Sequence, residues 1–142
     1  MQNKPMTPEE NEAWVRRFYE KAAEYLATKG VVAESFILPE SRYLIPLVIV
    51  WKIVGTDGTK KSQKQNYWVI TGEVPTDHIV ESGAKDARDA LRAFSLRWQL
   101  KAEQLLQQEN PTEEQSKFAH LLIDRANGIY DLFGSDKLWG GQ

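Results

Sequence analysis

A chain of 142 residues, 42% hydrophobic and 27% charged with a formal net charge of −2, is sized for one domain that can enclose a core. It contains no cysteine, which removes disulfides, thiolate metal sites and a cysteine nucleophile. The missing basic excess argues against a dedicated DNA binder, and five Trp, five Tyr and five Phe promise an aromatic-rich core.

The start, "MQNKPMTPEENEAW", has no apolar segment behind a basic head, so no secretory signal is expected. The longest apolar run, Leu44 to Trp51, is interrupted by Pro46 and is too short to span a bilayer. A cytoplasmic protein without membrane contact is the simplest expectation.

The first helix is predicted from Thr7. Thr7 takes the N-cap, Pro8 the first turn and Glu10 the third position of a capping box. Trp14, Val15, Phe18, Tyr19, Ala22, Tyr25 and Leu26 then recur every three or four residues as one apolar stripe, and Gly30 supplies the stop. Three strands are predicted next, over 31–38, 43–54 and 65–72. The middle one is almost continuously apolar, with Pro46 barred from ladder pairing. "GTDGTKKSQK" (55–64) reads as a polar hairpin tip, and "GEVPTDH" (72–78) as a turn into the second helix.

That helix is predicted over about 82–108 with apolar residues on two sides. Leu91, Phe94, Trp98, Ala102 and Leu105 line one side, with Ala93, Leu96 and Leu100 nearly opposite. Such a helix needs two partners. The third helix is predicted from Asn110 as N-cap, with Pro111 first, Glu113 third, and a stripe of Phe118, Leu122, Ala126, Ile129 and Phe133. No repeat or linker divides the chain. The expectation is one domain over 1–142, loose at 1–6 and 135–142 although Trp139 is able to dock back. The fold class is α+β: a three-stranded antiparallel meander with one N-terminal and two C-terminal helices, in the order α-β-β-β-α-α.

Several strings are uncommon: "SRYLIPLVIVWKI", "WVITGEVPTDH" and "FSLRWQLKAE", besides Trp14 in the first helix. On these the chain resembles a family of short, uncharacterised gammaproteobacterial proteins, over about Glu10 to Glu103. The resemblance implies a bacterial, single-domain protein, and it brings no activity and no assigned residues.

Site chemistry therefore has to come from the residues. Glu73, Asp77 and His78 group two carboxylates and an imidazole beside Thr76, and an imidazole held by a third group is the material of acid–base catalysis. The competing reading is turn chemistry, with Asp and Thr side chains serving the backbone, and it is favoured. Asp77 and His78 are also adjacent, and adjacent side chains diverge in regular structure. His78 and His120 lack paired ligand spacing, so no metal and no cofactor are expected. "GTDGTKKS" lacks the Gly-Lys-Ser/Thr succession of a phosphate loop.

Lys85, Arg88 and Arg92, with Lys60, Lys61 and Lys64, form a candidate basic surface for RNA or an acidic partner, although Asp86 and Asp89 intersperse it. Tyr43, Trp51, Tyr67 and Trp68 form a candidate stacking platform, against which stands simple core packing. The favoured function is a non-enzymatic interaction module (adaptor, inhibitor or immunity type) with an unknown protein partner or as a homodimer. A small enzyme using Glu73, Asp77 and His78 is the alternative, and nucleic-acid binding through a local basic patch comes last; the candidate binding residues are Thr76, Trp68, Lys85, Arg88 and Arg92.

Overall fold

The computed structural model describes residues 5–140. The chain divides into two compact units, 1–81 and 82–142.

The first unit opens with helix α1, Pro8–Thr28. Its capping box forms as predicted: Glu10 N donates to Thr7 Oγ1 and Thr7 N to Glu10 Oε1, both at 3.1 Å. Phe18, Ala22 and Leu26 come from the predicted stripe and are buried. Phe18 and Leu26 each contribute roughly 1.5–3 kcal/mol by leaving water. Gly30, at φ +78, ends the helix in the left-handed conformation that a side chain disfavours.

Five strands follow in one antiparallel sheet: β1 Val31–Phe36, β2 Arg42–Leu44, β3 Val48–Asp57, β4 Gln63–Gly72 and β5 Asp77–Val80. The order is β1-β3-β4-β5, with β2 also on β3. The three-strand meander is thus corrected in two places. The run predicted as one strand over 43–54 breaks at Pro46, whose ring lacks the N–H a ladder needs. Its first part folds back on the second, Arg42 facing Val50 and Leu44 facing Val48. The predicted turn at Asp77-His78 is the start of β5, in register with Ile70 and Val69 of β4.

The edge formed by β1 and β2 is interrupted by a 3-10 turn at Leu38–Glu40. Ser41 repairs the gap. Its hydroxyl accepts from Lys52 N and donates to Ile37 O, each at 2.9 Å, so the central strand keeps its backbone partners.

Strand alternation sorts the sheet's faces. Ile49, Trp51, Ile53, Tyr67 and Val69 join the buried α1 residues and Val31 in one cluster. Trp51 is the hub of the aromatics, with Tyr19, Phe36 and Tyr43 edge-on around it and its Nε1 donating to Thr71 Oγ1 at 3.0 Å. Val48, Val50, Lys52, Trp68 and Ile70 point the other way and are also buried. The expected stacking platform is therefore core at Trp51, Tyr67 and Trp68, and only Tyr43 is exposed. Gly72, at φ +126, is required where β4 ends: a Cβ there would lie 2.4 Å from Leu47 O.

The second unit is a pair of packed helices, α2 Ala87–Leu106 and α3 Glu113–Phe133. Helix α2 starts five residues later than predicted from Ser82. Glu81–Gly83 is a 3-10 turn, and Asp86, a strong N-cap type, accepts from Asp89 N at 2.7 Å. Helix α3 starts later than predicted as well. Thr112, not Asn110, is the N-cap, in a capping box with Gln115, while Asn110 takes a left-handed turn at φ 57. In α2 Leu91, Phe94, Trp98 and Ala102 are buried, and Leu96 and Leu100 of the opposite side are exposed. In α3 the buried residues are Ala119, Leu122, Ala126 and Ile129, with Phe118 left exposed. Ser95 ties the two helices, its hydroxyl donating to Ala126 O at 2.9 Å in a buried position. The expected loose tail forms a 3-10 turn at Asp136–Trp139, and Trp139 Nε1 donates to Leu132 O at 3.0 Å. The remainder of the predicted loose ends, 1–4 and 141–142, lies outside the described residues.

Candidate functional site

Strands β3 and β4 are ten residues each and outrun α1, whose last buried core residue is Leu26. Where the helix stops, the sheet continues toward its hairpin tip, and its α1-side residues are left lining a cleft of about 210 Å³. Period-two alternation puts Asp57, Gln63, Gln65 and Tyr67 on this face, and the register of β5 adds His78 and Val80. Lys29 at the end of α1 and Lys60 in the hairpin loop complete the polar rim. Gly55 makes room for the cleft wall, because a Cβ there would lie 2.5 Å from Val31 Cγ1 and 3.0 Å from Tyr67 Cε2.

His78 is held from behind. Tyr25 Oη lies 2.9 Å from His78 Nδ1 and 3.4 Å from Asp77 Oδ1. The rings of Tyr25 and Tyr67 stand edge-on to the imidazole, with centroids at 5.4 and 5.8 Å. When Nδ1 carries its proton, the imidazole donates to Tyr25 and Tyr25 donates to Asp77, so all three polar groups are served along one line. Asp77 also accepts from His78 N at 2.8 Å, which fixes the strand start. The adjacent Asp77 and His78 side chains, expected to diverge, both come within reach of one hydroxyl supplied by another element.

Tyr25 was not singled out by sequence as more than a member of the α1 stripe. The available signal was its hydroxyl, since a tyrosine on a core stripe needs a partner where Leu or Phe would not. Glu73 does not join the cluster: it is exposed in the turn after β4, with its N–H donating to Leu47 O at 2.9 Å. Thr76, just before β5, buries its Oγ1 without a hydrogen-bond partner among the described residues.

Electrostatics differ around the rim. Asp57 is held below the usual carboxylate range by hydrogen bonds from the Thr59 hydroxyl at 2.5 Å and the Thr59 N–H at 2.8 Å. Burial, followed by the charge of Asp57, raises the Tyr67 phenol above its ordinary value, so it stays a hydroxyl. Neither Lys29 nor Lys60 forms an ion pair among the described residues, and Lys29 lies over the Tyr25 ring at 5.4 Å.

The remaining candidates lie apart from the cleft. Trp68 is buried on the other face of the sheet beneath Lys52, whose Nζ is 4.2 Å above its ring. In the second unit Arg88 donates through Nε to Phe133 O at 2.8 Å and through a terminal nitrogen to Asp136 at 2.7 Å. It thereby closes the end of α3, where a cation also meets the negative end of the helix dipole. Arg92 pairs with Asp89 at 2.8 Å, and Lys85 is exposed. His120 is exposed, and Asp124 pairs with Arg125. Among the described residues no three His, Asp or Glu side chains converge as a metal site, and no helix is long and apolar enough to cross a membrane.

The fold and site define an α+β protein with a polar cleft on an antiparallel sheet, followed in sequence by a two-helix unit. The chain belongs to the family described as Domain of unknown function (DUF4826), whose model matches residues 9–139. No curated protein and no solved structure matches it.

Proposed function

We propose that the sheet unit binds a small polar ligand in the cleft, with His78 as the group that exchanges a hydrogen bond or proton with it. The observation that supports this reading is the Tyr25 hydroxyl at 2.9 Å from His78 Nδ1 and 3.4 Å from Asp77. An imidazole oriented by a second group and facing a concavity is the arrangement that general acid–base and ligand-recognition sites share. Of the residues expected for such chemistry, His78 and Asp77 remain in the proposal, Tyr25 enters, and Glu73 leaves. The proposal includes a bacterial cytoplasmic setting, which rests on the cysteine-free composition and the sequence resemblance.

A chemical-shift screen of the labelled protein against neutral, cationic and anionic compounds of metabolite size tests it. Hits should move the ring signals of Tyr25, Tyr67 and His78 together. A screen in which no compound moves them, or in which all hits map elsewhere, overturns the cleft as a site.

A second reading keeps the interaction module, with a protein partner or a homodimer. It is favoured by Leu96 and Leu100, one turn apart on α2 and 46% and 60% exposed. Light scattering of the wild type and of Leu100→Glu distinguishes them: an associating protein loses mass on substitution, and a monomer does not change. Nucleic-acid binding has the least support, because Arg88 and Arg92 already direct guanidinium donors to neighbours in their own unit.

A further inference from the structure

The cleft's rim says which chemical class it takes, given the reading above that it is a site at all. Two ammonium groups, Lys29 and Lys60, face a single carboxylate, Asp57. That carboxylate has one oxygen occupied twice over by Thr59, and the two lysines form no ion pair among the described residues. Elsewhere in the same unit the buried cation Lys52 is matched by carboxylates at 2.7 and 3.4 Å. The contrast is informative: the charge of Lys60 acts on Asp57, yet two cations against one carboxylate leave the concavity with a net positive charge, which raises the local concentration of anions.

The remaining lining groups fit the same ligand. Gln63 and Gln65 bring amides, Tyr67 a neutral hydroxyl and His78 an imidazole, all on one face of the sheet. Among the described residues no arginine lines the cleft, so they do not offer the planar, two-point recognition that guanidinium gives a carboxylate. Lysines act as point charges, and two of them add most strongly on a compact oxyanion of charge near −2. Size sets the upper limit. At about 30 Å³ per water, some 210 Å³ holds roughly seven waters, below the roughly 300–1,000 Å³ of pockets for drug-sized molecules.

We infer that the cleft binds a phosphate group, free or carried by a monoester no larger than a few carbons, between Lys29 and Lys60 and against His78. The Tyr25 hydroxyl holds the imidazole that lines the cleft, and Val31 and Val80 supply an apolar wall, enough for a short carbon chain.

The test is a titration of the full chain followed by the ring signals of Tyr67 and His78, at fixed pH and matched ionic strength. The probes are inorganic phosphate, glycerol phosphate, malonate and, as baseline, chloride. Phosphate should give saturable shifts with a millimolar midpoint. Lys29→Gln and Lys60→Gln should each weaken binding by about fivefold to tenfold, the worth of one partly solvated charge pair. Both lysines are exposed, so the variants should fold, and unchanged thermal unfolding confirms it. Lys21→Gln, on the solvent side of α1, should leave the midpoint where it is.

Tighter binding of glycerol phosphate than of phosphate assigns the site to a monoester, and the reverse order assigns it to the free ion. The inference is overturned if phosphate moves the rings no more than chloride, if malonate binds better than phosphate, or if either cleft lysine variant binds like the wild type. In that event a neutral or cationic hit from the compound screen at the same rings would keep the cleft as a site and remove only the anion, whereas a silent screen would remove both.

Discussion

Lys52 and His78 occupy opposite faces of the same sheet, and their polar neighbours are arranged on different principles. Around Lys52 the charges close on one another: Glu81 at 2.7 Å, Glu40 at 3.4 Å, the Trp68 ring at 4.2 Å, with the lysine side chain 4% exposed. Glu81 is in turn held by Asn66 at 3.1 Å, and its backbone oxygen accepts from Trp68 Nε1 at 3.3 Å. Such a cluster pins two 3-10 turns, Leu38–Glu40 and Glu81–Gly83, to the sheet, and it leaves nothing for a ligand. Around His78 the polar groups face a concavity, and of the two lysines that line it neither forms an ion pair among the described residues, although the charge of Lys60 acts on Asp57. A closed ionic cluster reads as structure, and an open one as a site.

Breaking the closed cluster should have the largest effect. Glu81→Ala removes the nearer counter-ion from a buried ammonium, and the expected loss is about 2–3 kcal/mol at neutral pH. Full burial of both partners would cost more, but Glu81 is 47% exposed and Glu40 remains in reach. Urea unfolding followed by tryptophan fluorescence measures it, and a loss under about 0.5 kcal/mol would mean that packing alone holds the turns. Shifts of His78 and Tyr67 with phosphate should be the same in this variant.

Acid sharpens the same contrast. The hydrogen bond from Lys52, then that from Asn66, holds the Glu81 carboxyl below its ordinary value of 4.5. A carboxyl whose folded value is depressed contributes fully above its unfolded value, and the contribution drains away as pH falls through the folded one. Stability should therefore fall on acidification from about pH 5 downward, and the gap between wild type and Glu81→Ala should narrow over that range. Asp57, hydrogen-bonded by Thr59, and Asp89, hydrogen-bonded by Arg92, are lowered too and act with the same sign in both proteins. Parallel pH profiles for the two proteins would show that Glu81 contributes nothing through its charge.

Much of the scaffold is legible in the sequence. The Thr7-to-Glu10 capping box, the Phe18-Ala22-Leu26 stripe and the Leu91-Phe94-Trp98 stripe are local patterns, and local patterns survive folding. Pro46 marks a defect in a strand on sequence alone, yet its consequence depends on which backbone lies alongside. That consequence is the fold-back of β2 on β3 and the Ser41 patch, which only tertiary pairing reveals. Asp77 and His78 read as turn residues because Pro75, Thr76 and Asp77 carry turn chemistry, yet the chain bends earlier, at Glu73 and Val74, and the Thr76 hydroxyl serves no backbone group among the described residues. His78 stands out in the sequence, but its partner Tyr25 is 53 positions away, and no spacing rule connects residues that only a helix laid on a sheet brings together. Nothing in the sequence around Lys29 marks it, and Lys60 reads as one of several loop lysines, for the same reason.

Removing the Tyr25 hydroxyl comes next in size. Tyr25→Phe keeps the ring on the α1 stripe and takes away its contacts with His78 and Asp77, at an expected cost of about 1 kcal/mol. A purely structural hydroxyl would move only the unfolding midpoint. A positioning hydroxyl should also change the nitrogen shifts of the His78 ring, because Nδ1 loses its neighbour and the tautomer balance shifts, and it should weaken phosphate binding. Unchanged ring shifts in Tyr25→Phe would detach Tyr25 from the site.

Thr76 is the smallest case and separates the two principles within one residue. Its Oγ1 is buried with no hydrogen-bond partner among the described residues, so it belongs neither to the closed cluster nor, by any contact, to the open one. A buried hydroxyl left unmatched carries a desolvation cost, and Val is nearly its shape without the oxygen. Thr76→Val should therefore be neutral or stabilising by up to about 1 kcal/mol, a rise of roughly 2–5 °C in Tm for a chain of this size. If the hydroxyl serves a ligand, the variant should gain stability and lose phosphate affinity together, the trade expected of a polar group kept unsatisfied until something binds. A gain in stability with no change in affinity would leave Thr76 as an imperfection of the turn. A loss of about 1 kcal/mol instead would show that water or a neighbour satisfies the hydroxyl, and Thr76 would then stand with Lys52 among the groups that hold the fold.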